Sequence, residues 1–128
     1  MSEHREIAKI EGVFLGFEDH GIFTCYIHFD YGKGGAQSGG GYAFSQYDRE
    51  TERRVGSRFG CEFVMRLLNA CGVDEWSKLK GRTVFAIRDR EGFQGRVIGI
   101  EPLPTEPGER FIFKELADEL REPEGVAA

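Results

Sequence analysis

The segment 32–41, Gly-Lys-Gly-Gly-Ala-Gln-Ser-Gly-Gly-Gly, is the first place to look for chemistry, because six of its ten residues are glycine. Glycines let successive backbone N–H groups approach an anion, and Lys33 adds a charge. The pattern departs from phosphate-binding fingerprints. A Walker loop carries Lys-Ser or Lys-Thr directly after its last glycine and then a helix, whereas Lys33 lies early and Tyr42 opens a strand-like run. The candidate ligand-binding residues are Lys33, Gly34, Gly35, Gly39, Gly40, Gly41 and Tyr42, for a small anion or a nucleotide. A flexible or bulged hairpin connection accounts for the same composition without a ligand.

A second polar group surrounds a turn at Glu18-Asp19-His20-Gly21, with His28 and Asp30 two residues apart further on. A spacing of two puts side chains on one strand face, where a carboxylate can orient an imidazole. Asp19 and His20 are candidate ligand-binding residues, and a small hydrolase using them as its acid–base pair is a weaker alternative. A hairpin closed at 18–21 would place His28 and Asp30 about 25 Å from the turn, at about 3.3 Å per residue. The alternative is therefore a set of separate surface groups, and no metal or cofactor is implied. No serine stands in a Gly-x-Ser-x-Gly context.

The third feature is basic. Residues 78–96 hold Lys78, Lys80, Arg82, Arg88, Arg90 and Arg96 against Asp89 and Glu91, a local excess of four positive charges. Arg82, Arg88, Arg90 and Arg96 are candidates for holding phosphates or another anion, with tyrosines nearby as stacking partners. Ordinary solubility charge, with arginine stems covering a sheet face, is the competing explanation.

These groups must be positioned by a chain of 128 residues with 17 Lys plus Arg, 22 Asp plus Glu and a net charge of -5. Residues 1–100 carry 14 basic and 14 acidic side chains and 101–128 carry 3 and 8, so the surplus lies at the C-terminal end. That excludes a uniformly basic nucleic-acid binder but not a local anion site. Cys25, Cys61 and Cys71 are odd in number and lack metal spacing, so they read as reduced core residues. No apolar run is long enough for a membrane span, and residues 1–9 carry charges where a signal peptide needs an apolar core. A cytoplasmic protein without a membrane partner is expected.

Alternation and turn residues predict strands over 7–17 and 22–31, joined as a hairpin, with Phe23, Cys25, Ile27, Phe29 and Tyr31 facing the core. A bulge is expected near Gly12 or Gly16, and a short third strand over 42–47, followed by a charged surface loop over 48–55. A helix starting at Ser57 carries Phe59, Phe63, Leu67 and Ala70 on one stripe and Cys61, Val64, Leu68 and Cys71 on another, and stops at Gly72. A turn with Trp76 and Leu79 follows, then strands over 83–88 and 93–100. Residues 111–113 would add an edge strand or begin a short helix through Leu116 and Leu120.

The fold class is thus α+β: an antiparallel sheet or small, partly open barrel in the order β-β-β-α-β-β, OB-like, with one covering helix and a short C-terminal addition. Residues 1–104 are expected as one domain. Residues 105–128 form a C-terminal segment ending in an acidic, flexible tail.

Leu15-Gly16-Phe17-Glu18-Asp19-His20-Gly21-Ile22-Phe23-Thr24, Gly39-Gly40-Gly41-Tyr42 and 72–81, Gly-Val-Asp-Glu-Trp-Ser-Lys-Leu-Lys-Gly, resemble a family of small bacteriophage- and prophage-encoded proteins, over most of residues 8–101. The family has no assigned activity or site residues to carry over. The resemblance implies a phage accessory protein acting in the host cytoplasm, commonly by binding. Two binding roles follow as expectations. One is a non-catalytic counter-defence factor that binds a host protein or sequesters a small anionic or nucleotide ligand in the glycine-rich loop. The other is an OB-like single-stranded nucleic-acid binder of phage replication using the 78–96 hairpin. Exposed aromatic strand edges also suggest a homodimer.

Overall fold

The computed structural model describes residues 3–92 and 94–120. In chain order its elements are β1 (His4–Phe17), β2 (Phe23–Gly32), β3 (Gly35–Ala43), β4 (Ser45–Asp48), β5 (Arg53–Gly56), α1 (Arg58–Ala70), a 3-10 turn (Trp76–Lys78), β6 (Thr83–Arg88), β7 (Val97–Glu101), β8 (Phe111–Ile112) and α2 (Phe113–Glu119). Six strands form one antiparallel sheet in the order β3-β2-β1-β6-β7-β8, and β4 and β5 form a separate hairpin. The protein is α+β, with α1 and α2 packed on the sheet.

The sheet curls because β1 serves two partners along different halves. His4–Lys9 pair with β6, and Lys9–Phe17 pair with β2, with a bulge at Glu11 within the β1–β2 ladder. A bulge bends its strand and increases its twist, so the two ends of the sheet swing toward each other. They meet without a ladder. Gln37 Nε2 on β3 donates to the Gly95 carbonyl at 2.6 Å, and a Cβ on Gly39 would lie 2.8 Å from Val97 Cγ1. No backbone pairing joins β3 to β7 among the described residues, so of the two expected forms, antiparallel sheet or small partly open barrel, the sheet is not closed into a barrel.

Two expectations for the middle of the chain are corrected. The glycine-rich segment is not a loose connection: residues 35–43 are strand β3, whose backbone groups are satisfied by β2. The third strand expected over 42–47 is thereby split, since β3 ends at Ala43 and β4 starts at Ser45. The charged loop expected over 48–55 is instead the β4–β5 hairpin. Its turn is held by Asp48, whose Oδ2 accepts from the Thr51 hydroxyl at 2.6 Å and the Thr51 N–H at 3.2 Å. The Thr51 hydroxyl is also the main reason the Asp48 carboxyl lies below its ordinary range.

Gly40 and Gly41 explain why the end of β3 must be glycine. Gly41 and Tyr42 together oppose the single residue Cys25, and Gly40 and Gly41 take φ of 102° and 87°. A Cβ on Gly40 would lie 2.5 Å from the Cys25 carbonyl oxygen. The bulge turns Tyr42 inward, where its ring lies 5.6 Å from Phe59 and 6.1 Å from Phe113. Thr24 Oγ1 donates to the Tyr42 carbonyl at 2.6 Å across it. Gly40→Ala is expected to lower stability by about 2 kcal/mol or more, through left-handed strain and the carbonyl clash, as measured by urea unfolding.

α1 begins as the sequence predicts: Ser57 is its N-cap, and its hydroxyl accepts from the Gly60 N–H at 3.2 Å. Gly72, at φ 68°, ends it. The buried side of α1 is Gly60, Phe63, Leu67 and Ala70. Phe63 is the hub of the core, with Phe44, Phe59, Phe111, Phe113 and Tyr42 rings all between 4.9 and 6.3 Å from its own. The 111–120 segment therefore completes the same core: Phe111, Phe113 and Leu116 are buried in it.

Of the three cysteines expected in the core, Cys25 and Cys71 are buried but Cys61 is exposed, because it lies off the buried stripe of α1. Burial pushes the Cys25 and Cys71 thiols up to about 12. A disulfide-exchange reagent at pH 8 should therefore titrate one thiol per native chain and three in denaturant. Rapid reaction of two or three native thiols would contradict this packing.

Candidate functional site

Period-2 alternation puts His4, Glu6, Ala8 and Ile10 of β1, Val84, Ala86 and Arg88 of β6, and Phe29 and Tyr31 of β2 on the inner face of the curled sheet. Along β1 and β6 the inner residues run from apolar to charged toward one end. The last rungs, Glu6 and Arg88, thus stand at the open mouth of the sheet. The β2–β3 turn folds over the same mouth. Gly32 pairs with Gly35, and Lys33 and Gly34 form the two-residue connection with φ of 54° and 84°. Positive φ at both central positions matches the right-handed twist of the strands, which favours glycine at Gly34 while Lys33 takes the left-handed conformation as a non-glycine residue. Asp30 Oδ1 steadies it by accepting from the Gly32 N–H at 2.9 Å.

Glu6, Tyr31, Gly32, Lys33, Gly34, Gly35, Arg88 and Gly92 line a cavity of about 280 Å³ at this mouth. Arg88 is its anchor. The side chain is only 7% exposed, yet its guanidinium has one charged partner, Glu6, whose Oε1 accepts from Nη2 at 2.8 Å. Among the described residues the buried Nε–H has no hydrogen-bond partner. The guanidinium stacks on the Tyr31 ring, 5.3 Å from its centroid. Tyr31 is itself fixed: its hydroxyl donates to Gln37 Oε1 at 2.7 Å, and Gln37 continues to the Gly95 carbonyl. Burial holds the Tyr31 phenol above its ordinary range, against the opposing pull of Arg88.

A buried cationic donor without a partner costs free energy on the order of 1–3 kcal/mol, so it marks a place where an acceptor is missing. Arg88 and Lys33 against Glu6 leave the cavity lining one positive charge in excess. The arrangement can take an acceptor-rich anion of modest size.

Of the residues singled out by sequence, the structure brings Lys33, Gly34, Gly35 and Arg88 into one cavity. It separates the others. Gly39 packs against Val97, Gly40 and Gly41 form the β3 bulge, and Tyr42 is in the aromatic core. Asp19 and His20 sit in the β1–β2 turn, where the His20 side chain is 88% exposed. The neighbouring Glu18 carboxylate accepts from the N–H groups of Ile22 and His20, which draw its carboxyl below the ordinary range, Ile22 contributing most. His28 lies 2.7 Å from Ser38 Oγ, and Asp30 is engaged with Gly32, so the two do not pair. Among the described residues no group of three metal-ligating side chains is assembled.

The basic stretch is likewise dispersed. Lys78 pairs with Asp74 at 2.9 Å, and Arg82 donates to the Cys71 carbonyl at 3.0 Å and to Glu106 at 3.2 Å. Arg90 donates to the Gln94 carbonyl, while the Arg96 N–H binds Asp89 and its side chain is exposed. The acidic C-terminal region is consumed in the same way: Glu101 pairs with Arg5 and Arg110, and Glu119 with Arg66. Residues 121–128, the end of the expected acidic tail, lie outside the described residues, as does Phe93 in the expected strand over 93–100, which here begins at Val97.

Glu6, Tyr31 and Gly92 are site residues that motif reasoning missed. The signal was present in alternation: Glu6 shares a face with Ala8 and Ile10, and Arg88 with Ala86 and Val84, so both interrupt an apolar inner face at the same end.

No family model, curated protein or solved structure matches the chain. No helix among the described residues is long and apolar enough to cross a membrane.

Proposed function

We propose that the protein is a non-catalytic binding protein that takes a small anion into the mouth of its curled sheet. The observation that carries this reading is the buried Arg88, stacked on Tyr31 and paired with Glu6, with an Nε–H unmatched among the described residues at a cavity that Lys33 and the glycine turn also line. A fixed, partly desolvated guanidinium loses little entropy on binding and favours charged acceptors. The single-stranded nucleic-acid reading draws less support, because Lys78, Arg82 and Arg88 are already engaged and only scattered cations of that stretch face solvent. A counter-defence role for phage, by sequestering an anionic ligand or binding a host protein, rests on the sequence resemblance.

The test is a melting-temperature screen of the full chain at low ionic strength with phosphate, sulfate, carboxylates and mononucleotides. A ligand at one hundred times its Kd should stabilise by about 2.7 kcal/mol, a rise of several degrees. Arg88→Lys should abolish the rise, since an ammonium cannot reproduce the guanidinium's fixed donors. If no anion at millimolar concentration raises the wild-type melting temperature, the reading fails.

A further inference from the structure

We infer that Glu6 is a resident carboxylate occupying the anion position of the free protein, and that the ligand which displaces it is a phosphoryl group. This rests on the anion-binding reading of the same cavity. Glu6 Oε1 is shared: it accepts from Arg88 Nη2 at 2.8 Å and lies 3.2 Å from His4 Nε2. The two partners of that oxygen differ in freedom. Arg88 is 7% exposed and clamped on Tyr31, whereas the Glu6 and His4 side chains are 38% and 31% exposed at the rim. Glu6 is thus the member of the pair that can move, and His4 offers it a second resting place on its own strand, two residues away on the same face.

The donor geometry selects the ligand class. A guanidinium satisfies a planar carboxylate through two parallel N–H groups, and here one group of the Nε/Nη2 edge already holds Glu6 while the other is empty. Glu6 meets that edge through one oxygen only, so an incoming anion that takes both of its donors displaces Glu6 from Nη2. A phosphoryl group offers three acceptor oxygens at tetrahedral angles, so it can take both donors of that edge with two oxygens and turn the third toward Lys33 and the turn. A simple carboxylate has no third oxygen and gains less over Glu6 than it displaces. The cavity, at about 280 Å³, accommodates the phosphoryl end of a ligand and leaves the remainder in solvent beyond the glycine turn.

Two variants with inorganic phosphate, sulfate and acetate as probes test this by calorimetry on the full chain. Glu6→Gln keeps a hydrogen-bond acceptor for Arg88 but removes the competing charge, and should tighten phosphate about tenfold. His4→Ala should weaken phosphate several-fold in the wild-type background and leave Glu6→Gln unchanged, because it acts only by receiving the displaced carboxylate. Acetate should bind at least tenfold more weakly than phosphate. If phosphate binds the wild type but Glu6→Gln binds it equally or more weakly, the resident-carboxylate role is overturned while the cavity reading stands. Equal affinity for acetate and phosphate overturns the phosphoryl class. Binding of none of the three to either protein overturns the cavity reading itself.

Discussion

Phe63→Ala is expected to cost about 3–5 kcal/mol, the largest stability loss of any single truncation in the chain. Phe63 is fully buried at the junction of α1, the residue between β3 and β4, and the β8–α2 segment, with Phe44, Phe111 and Phe113 rings at 5.1, 4.9 and 5.0 Å. Removing the ring withdraws its transfer free energy and leaves a void bordered by rigid aromatic faces that cannot collapse inward. A domain of this size has about 5–15 kcal/mol in total, so the variant should melt at least 10 °C lower and unfold at much lower urea. Met65→Ala, on the exposed side of the same helix, is the control and should lie within about 0.5 kcal/mol of wild type. A loss below about 1 kcal/mol for Phe63→Ala would show that these rings are not the centre of the core.

The second large effect separates stability from binding. Arg88→Met should leave the fold intact, with a melting temperature within a few degrees of wild type, yet eliminate every anion-dependent rise in that temperature. The reasoning is that a buried ion pair contributes little net stability, since desolvating its charges offsets their attraction. Methionine fills much of the same volume and can pack on Tyr31. Glu6 is partly exposed, so it can return to water or to His4 when its partner is removed. The unmatched Nε–H also disappears, which recovers part of the desolvation penalty. Should Arg88→Met unfold several kcal/mol more easily, Arg88 is a structural post of the sheet rather than a binding group.

The first hairpin, the helix boundaries and the β8–α2 addition were legible because each rests on local signals: a turn glycine, a capping serine, a run of aromatics spaced for burial. The glycine-rich strand was not, since its four glycines carry no side-chain period and β3 owes its conformation to β2, a partner in the chain but not a property of the segment. Half of the site was legible for the same kind of reason. Lys33, Gly34 and Gly35 announce a turn, and Arg88 is a charge in a strand. The bulge at Glu11 was itself foreshadowed by Gly12, but their meeting depends on β1 pairing with β6 over His4–Lys9 and with β2 over Lys9–Phe17, and such long-range partners have no local signature. Conversely, the attractive run of arginines over 82–96 dissolves in three dimensions, because Glu6 and Glu106 reach it from distant parts of the chain.

The divided pairing of β1 also sets the order in which the molecule can assemble. β2 is close by in sequence, so the first hairpin closes a short loop, but the partners of His4 and Arg5 are Arg88 and Ile87, and the aromatic hub waits for Phe111 and Phe113. Closing such long loops costs entropy before burial repays it, which places refolding in the millisecond-to-second range rather than the microsecond range of local helical folds. Until residues 83–88 arrive, the apolar Ala8 and Ile10 face of β1 and one of its backbone edges stand bare. A nascent or truncated chain that stops before β6 therefore presents an unpaired strand edge to any other chain it meets, and aggregation of such fragments is the kinetic counterpart of a sheet whose first strand lies at its centre.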